Sequence, residues 1–197
     1  MKNKIHVPEN KKDLIMIDCF GVVSSPIINR WLIEMFGEEE GKRIDEEYSY
    51  LGDTGQITLY EYADYVAKRL NLNTDELYKD WISDAHINYE LLDYIQELRK
   101  NNMVVLASNC SPSLVEDVFK YNNVKEDVFD YLFKSYEFHL VKPSLDFYKY
   151  ILDSFDKKFD HIYMVDDRDI NLKEVHKLGI IPVQFINNKK LKEDLNK

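Results

Sequence analysis

Asp18, Ser108, Asn109, Lys142, Asp166 and Asp167 are the residues of this chain whose types and settings could do chemistry together. Asp18 ends the apolar run Leu14-Ile15-Met16-Ile17 and opens the tight loop Cys19-Phe20-Gly21. A carboxylate held there can attack phosphorus or an alkyl carbon covalently. Ser108-Asn109 ends a second run, Met103–Ala107, just before Ser111-Pro112-Ser113 opens a helix. A hydroxyl and free backbone amides at such a place suit an anion. Lys142-Pro143 follows the extended run Phe138-His139-Leu140-Val141. An ammonium fixed there can neutralise both a nucleophile and a bound phosphate. Asp166-Asp167 closes a further run, Ile162–Val165. Two adjacent carboxylates repel each other unless a cation is present, and hard oxygen ligands favour Mg²⁺. Taken singly, each has an ordinary reading: a loop cap, a helix cap, a surface lysine, a solvated acidic turn.

The elements around these residues supply the reason to read them jointly. The apolar runs have strand length and read as parallel strands buried on both faces. In open α/β sheets ligands bind outside the carboxyl ends of the strands, so the polar residues should converge on one rim. The expected fold is therefore α/β, a Rossmann-like parallel sheet. From Ile27 to Ile87 the pattern turns wholly helical, with Leu59, Tyr62, Ala63, Val66, Ala67 and Leu70 on one helix face. Thr58 with Glu61 has capping-box spacing, Asn73 with Glu76 suggests a similar start, and Leu51–Gly55 reads as a turn. The expected organisation is a loosely ordered polar N-terminal arm over 1–12, an α/β core over 13–26 and 88–197, and a small inserted all-helical cap over 27–87. Ser113 with Glu116 suggests another capping box; Leu172, Val175 and Leu178 stripe a helix ending at Gly179; Pro182 should confine the last strand to a sheet edge.

Bulk composition narrows the partners. The net charge is −10, with 26 Lys and Arg against 36 Asp and Glu, which argues against nucleic acid. The same charge means that a phosphorylated ligand would need local positive potential from a lysine, a metal ion or helix N-termini. No apolar stretch approaches the roughly 20 residues of a membrane helix, so no membrane partner is expected. The first residues lack the apolar core of a signal peptide, and two cysteines make no disulfide framework. A cytoplasmic setting is expected.

At this point the chain resembles the haloacid dehalogenase (HAD) superfamily, whose members mostly are Mg²⁺-dependent phosphatases. Asp18-Cys19-Phe20-Gly21-Val22-Val23 resembles its first motif, Leu106-Ala107-Ser108-Asn109 the second and Lys142-Pro143 with Phe147-Tyr148 the third. Val165-Asp166-Asp167-Arg168 with Asn171 and Leu178-Gly179-Ile180 resembles the fourth, and the helical insert matches a cap placed after the first motif. The resemblance implies an aspartyl-phosphate on Asp18, phosphoryl oxygens held by Ser108, the Asn109 amide and Lys142, and Mg²⁺ held by Asp18, the Phe20 carbonyl, Asp166 and Asp167. One position departs from the pattern. Phosphatases of this kind usually carry a second aspartate two residues after the nucleophile, as the acid for the leaving group, and here that residue is Phe20. Dehalogenases also lack that acid, but they need no Mg²⁺ and do not keep the paired acids of the fourth motif.

The expected function is thus a Mg²⁺-dependent phosphatase for a small phosphorylated metabolite, a sugar phosphate being one candidate. The alternatives are a metal-independent 2-haloacid dehalogenase and a non-catalytic relative that binds phosphate ligands. His139 is a candidate substitute acid, although a loop histidine without function is the simpler reading. Cys19 and Cys110 adjoin the motifs, and buried reduced thiols are the simpler reading than a redox switch.

Overall fold

In the computed structural model, which describes residues 4–196, the run Leu14–Ile17 forms strand β1 with every side chain buried. Such a strand requires parallel neighbours on both edges and helices on both faces. β2 (Met103–Ser108) and β4 (Ile162–Asp166) flank it, so that Leu14 stands beside Met103 and Ile162, and Ile17 beside Leu106 and Val165. β3 (Tyr131–Lys134) and β5 (Ile181–Gln184) complete a five-stranded parallel sheet of order β3-β2-β1-β4-β5. The chain builds outward from β1 through β2 and β3, then returns to start again at β4. The crevice between β1 and β4 is therefore the switch point at which an open α/β sheet binds its ligands.

One face of the sheet is covered by α5 (Tyr89–Leu98), α6 (Leu114–Tyr121) and α9 (Asn188–Leu195). Their Leu91, Ile95, Val115, Val118 and Leu191 are buried in one cluster with Ile15, Ile17, Leu106 and Val165. The other face is covered by α7 (Leu145–Asp153) and the short α8 (Asp169–Leu172), which bury Phe147, Tyr148, Ile151 and Leu172 against Leu14, Met16, Val105 and Met164. Between β1 and α5 come the inserted helices α1 (Ile28–Phe36), α2 (Glu38–Asp53), α3 (Leu59–Leu70) and α4 (Thr74–Ser83). The Thr58 hydroxyl accepts the Glu61 amide at 3.2 Å while the Glu61 carboxylate accepts the Thr58 amide at 2.7 Å, closing the capping box that starts α3. Asn73 starts α4 by accepting the Glu76 amide at 3.0 Å. The inserted helices turn Leu32, Ile44, Leu59, Val66 and Trp81 into the same buried cluster that α5 and α6 share with the sheet. Among the described residues, no helix is long and apolar enough to cross a membrane.

Several local expectations are corrected. The expected loose arm is docked over its described part. Ile5 bridges to Phe155, Val7 is buried with its amide on the Asp156 carboxylate at 3.0 Å, and Lys11 pairs with Asp130 at 3.5 Å. Phe138–Val141 is not extended strand; the third strand lies earlier, at Tyr131–Lys134, and a 3₁₀ turn over Ser135–Glu137 follows it. Ser113 makes no capping bond, because it takes a left-handed conformation (φ 65°), and Glu116 instead receives Lys134 and Tyr136. The stripe Leu172–Leu178 breaks into α8 and a 3₁₀ turn over Val175–Leu178 before left-handed Gly179. Pro182 does lie on the edge strand β5.

Candidate active site

Asp18 follows β1 directly, and its amide donates to the Val165 carbonyl at 2.9 Å, which seats it in the crevice between β1 and β4. Its Oδ1 accepts the Cys19 amide and Lys142 Nζ, each at 2.7 Å. Lys142 Nζ also reaches Asp166 Oδ2 at 2.7 Å, so a lysine side chain only 1% exposed joins the ends of β1 and β4. Asp166 is oriented on every side. Its Oδ1 accepts the Arg168 amide at 2.9 Å, and Asn171 Nδ2 lies 3.0 Å from both oxygens. Asn171 is in turn held through its carbonyl, which accepts the Tyr148 hydroxyl at 2.6 Å.

The second strand delivers Ser108 and Asn109 to the same rim. Ser108 is fully buried and its hydroxyl donates to the Asn109 carbonyl at 3.2 Å. The Asn109 side chain has a task that the sequence did not suggest. It accepts the Lys142 amide at 2.8 Å and donates to the Lys142 carbonyl at 3.1 Å, a reciprocal pair that sets the lysine's backbone against the end of β2.

Burial dominates the electrostatics. It raises the Asp18 carboxyl to about 7, opposed by Lys142 and reinforced by Asp166. Burial pushes Lys142 down, but Asp18 and Asp166 more than offset this and keep it cationic. Asp167 is also raised, first by burial and then by Asp166, and its Oδ1 is buried without a hydrogen-bond partner among the described residues. Asp18, Asp166 and Asp167 each offer an oxygen within 4.8 Å of the others. Gly21 makes room for this crowding: its φ is +95°, and a Cβ there would stand 2.4 Å from the Asp167 carboxylate carbon. An oxygen-only donor set, carboxylates that resist ionisation beside one another and an orphaned buried oxygen together fit a hard divalent cation such as Mg²⁺.

A cleft of about 210 Å³ opens above this cluster, below the roughly 300–1,000 Å³ usual for drug-sized ligands. Asp18, Phe20, Asn109, Lys142 and Arg168 line it from the sheet rim, and Asp45, Ser49 and Asp53 line it from α2. The α2 residues were not singled out from the sequence. Their spacing of four residues, which puts them on one helix face, is the signal that was there to be read. Phe20 forms part of the wall where an acid was expected. His139 is not brought to the cleft. It is exposed, and its Nδ1 lies 2.7 Å from the Thr54 carbonyl. Cys19 and Cys110 are buried free thiols, and burial pushes both well up, which makes them poor nucleophiles.

No protein-family model and no curated protein matches the sequence. Solved structures do match the fold. A HAD family enzyme from Bacteroides thetaiotaomicron aligns at a TM-score of 0.75 with 21% identity, over 95% of this chain and all of that one. A predicted HAD-like hydrolase from Porphyromonas gingivalis aligns at 0.73 with 18% identity, over 94% and 98%. The Bacteroides enzyme in complex with magnesium and inorganic phosphate aligns at 0.68 with 22% identity, over 90% and 96%. An L-2-haloacid dehalogenase from Xanthobacter autotrophicus aligns at 0.61 with 14% identity, over 93% and 82%.

Proposed function

We propose that this chain, which has the fold of the HAD-like hydrolases, is a Mg²⁺-dependent phosphatase that acts through an aspartyl-phosphate on a small phosphorylated metabolite. The observation that carries the reading is the cluster of Asp18, Lys142, Asp166 and Asp167, in which one ammonium pairs with two of three carboxylates and an oxygen of the third has no partner among the described residues. The magnesium and phosphate complex of the Bacteroides enzyme supports it by fold analogy. A 2-haloacid dehalogenase needs no such collection of acids.

In this reading Asp18 Oδ forms a bond to phosphorus as the bond from phosphorus to the leaving oxygen breaks. Lys142 offsets charge on the phosphoryl oxygens and holds the nucleophile by the 2.7 Å contact. The Asn109 amide and Ser108 hydroxyl bind the remaining phosphoryl oxygens. Mg²⁺, held by Asp18, the Phe20 carbonyl, Asp166 and Asp167, would supply further charge neutralisation where the phosphoryl group sits. The cleft volume of about 210 Å³ suits a metabolite of the size of a sugar phosphate. Two free buried cysteines suit a cytoplasmic protein. A panel of phosphorylated metabolites, assayed for phosphate with Mg²⁺ and with chelator, tests the proposal. Mg²⁺-dependent release is expected. Halide release from 2-haloacids without metal, or binding without release across the panel, would refute it.

A further inference from the structure

The phosphatase reading leaves one chemical need unmet. An alkoxide is a poor leaving group and requires a proton, and Phe20 stands where the usual donor would be. Asp45 and Asp53 are the carboxylates that α2 presents to the cleft. Asp45 is already engaged: it accepts Asn29 Nδ2 at 2.7 Å and the Ser49 hydroxyl at 3.1 Å. The Asp53 carboxylate takes no hydrogen bond and no ion pair among the described residues, although the residue is half-buried.

The backbone of Asp53 is clamped to the core. Its carbonyl accepts the Ser135 hydroxyl at 2.6 Å, and the same hydroxyl accepts the amide of Cys110, the residue after Asn109, at 3.1 Å. The next carbonyl, of Thr54, meets His139 Nδ1 at 2.7 Å. The flanking glycines allow this close seating. A Cβ on Gly52 would lie 2.8 Å from Ser111 Cβ, and one on Gly55 would lie 2.9 Å from the Tyr136 carbonyl oxygen. The turn that ends α2 thus rests on the two loops that carry Asn109 and Lys142. This seating holds a free carboxyl group over the nucleophile's cleft.

We infer that Asp53 is the general acid of this chain, supplied by the inserted helix in place of the acid absent from the first motif. The inference rests on the phosphatase reading above. As Asp18 Oδ bonds to phosphorus and the phosphorus–oxygen ester bond breaks, the Asp53 carboxyl gives its proton to the departing oxygen, which leaves as an alcohol. A water molecule then attacks phosphorus and passes one proton to the Asp53 carboxylate. Asp18 leaves as a carboxylate, inorganic phosphate is released and Asp53 is again protonated. A separate observation agrees: burial, with Asp45 and Asp18 adding and Lys142 opposing, raises Asp53 to about 7, so a large share of it carries a proton near neutrality.

The test compares kcat/KM for an alkyl phosphate and for p-nitrophenyl phosphate, with Mg²⁺, in wild type and Asp53→Asn. That ratio covers only the steps up to departure of the leaving group, and the nitrophenolate needs no proton. Asp53→Asn should lower kcat/KM for the alkyl ester by ~10²–10⁴-fold and for the aryl ester by less than about 10-fold. Asp53→Ser, which is smaller than the native side chain, should repeat that split. Parallel losses on the two esters, or no loss on either, would overturn the assignment. Wild-type protein that releases phosphate from neither ester would refute the phosphatase reading itself and this assignment with it.

Discussion

Without a divalent cation, the protein should lose stability as pH rises from about 5 to about 7. Asp18 and Asp53 are each raised from an ordinary value of 3.8 to about 7, chiefly by burial. A carboxyl whose folded-state value lies above its unfolded one still holds, between these values, a proton that the unfolded chain has given up. Folding is therefore favoured at the acid end of the window, and this contribution is lost as pH rises through about 7. One such proton corresponds to about 1.4 kcal/mol per pH unit, so Asp18 alone and Asp18 with Asp53 bracket a decline of about 1 to 3 kcal/mol per unit. Asp167 is raised too and adds in the same direction. Glu40, the acid lowered to about 2, titrates outside this window. Urea unfolding followed by tryptophan fluorescence would measure the slope, since Trp31 and Trp81 pack edge to face at 5.8 Å within the insert. Saturating Mg²⁺ should flatten or reverse it, because the cation binds the ionised carboxylates of the folded state only. Asp18→Asn in chelator should remove about half of it. A flat or rising stability over this range in chelator would refute the assignment of raised carboxyls to the site.

Three further outcomes are expected. Chelation should abolish phosphate release and Mg²⁺ should restore it; full turnover in excess chelator would remove the metal from the proposal. Asp18→Asn should eliminate turnover, because an amide is no nucleophile, while far-UV circular dichroism stays that of wild type; near-normal turnover would exclude a covalent path through this residue. Gly21→Ala should weaken Mg²⁺ binding by ~10–100-fold in calorimetry, since its Cβ would displace the Asp167 carboxylate that stands 2.4 Å away. Unchanged affinity would show that this close approach does not serve the metal.

The strands that build the rim were legible because each is buried along its length: Leu14–Ile17 and Met103–Ser108 have no exposed position. β3 was missed because it is a short sheet edge, its apolar run Tyr131-Leu132-Phe133 only three residues long between Asp130 and Lys134, with Tyr131 43% exposed. The docked arm was missed because its apolar contacts are few, the buried Val7 and the half-buried Ile5, in a stretch otherwise polar. The residues Asp18, Ser108, Asn109, Asp166 and Asp167 could be gathered in advance, since each terminates or follows a strand and strand ends share a rim, whereas Lys142 lies eight residues beyond β3 and was joined to them by its motif. Asp53 could not be. Its place depends on a helix end meeting Ser111, Ser135 and Tyr136, contacts between segments as much as 82 residues apart, and the spacing of Asp45, Ser49 and Asp53 says that they share a helix face without saying that this face meets the rim. From Phe20 alone, activated esters would be expected to far outpace alkyl esters. With Asp53 as donor, that gap belongs to Asp53→Asn rather than to wild type.

The inserted helices share one apolar cluster with α5, α6 and the sheet face, and Tyr78 of α4 bonds to Asp117 of α6. This limits how the protein can be recombined. A chimaera that took residues 27–87 onto another sheet of the same fold would leave Leu32, Ile44 and Trp81 facing foreign side chains, and would strip cover from Val115 and Phe119 on the donor. Grafts that change what the cleft accepts would therefore have to carry α6 along with the insert, or confine themselves to Asp45 and Ser49, the cleft-facing positions about two and one helical turns before Asp53 on the same face of α2.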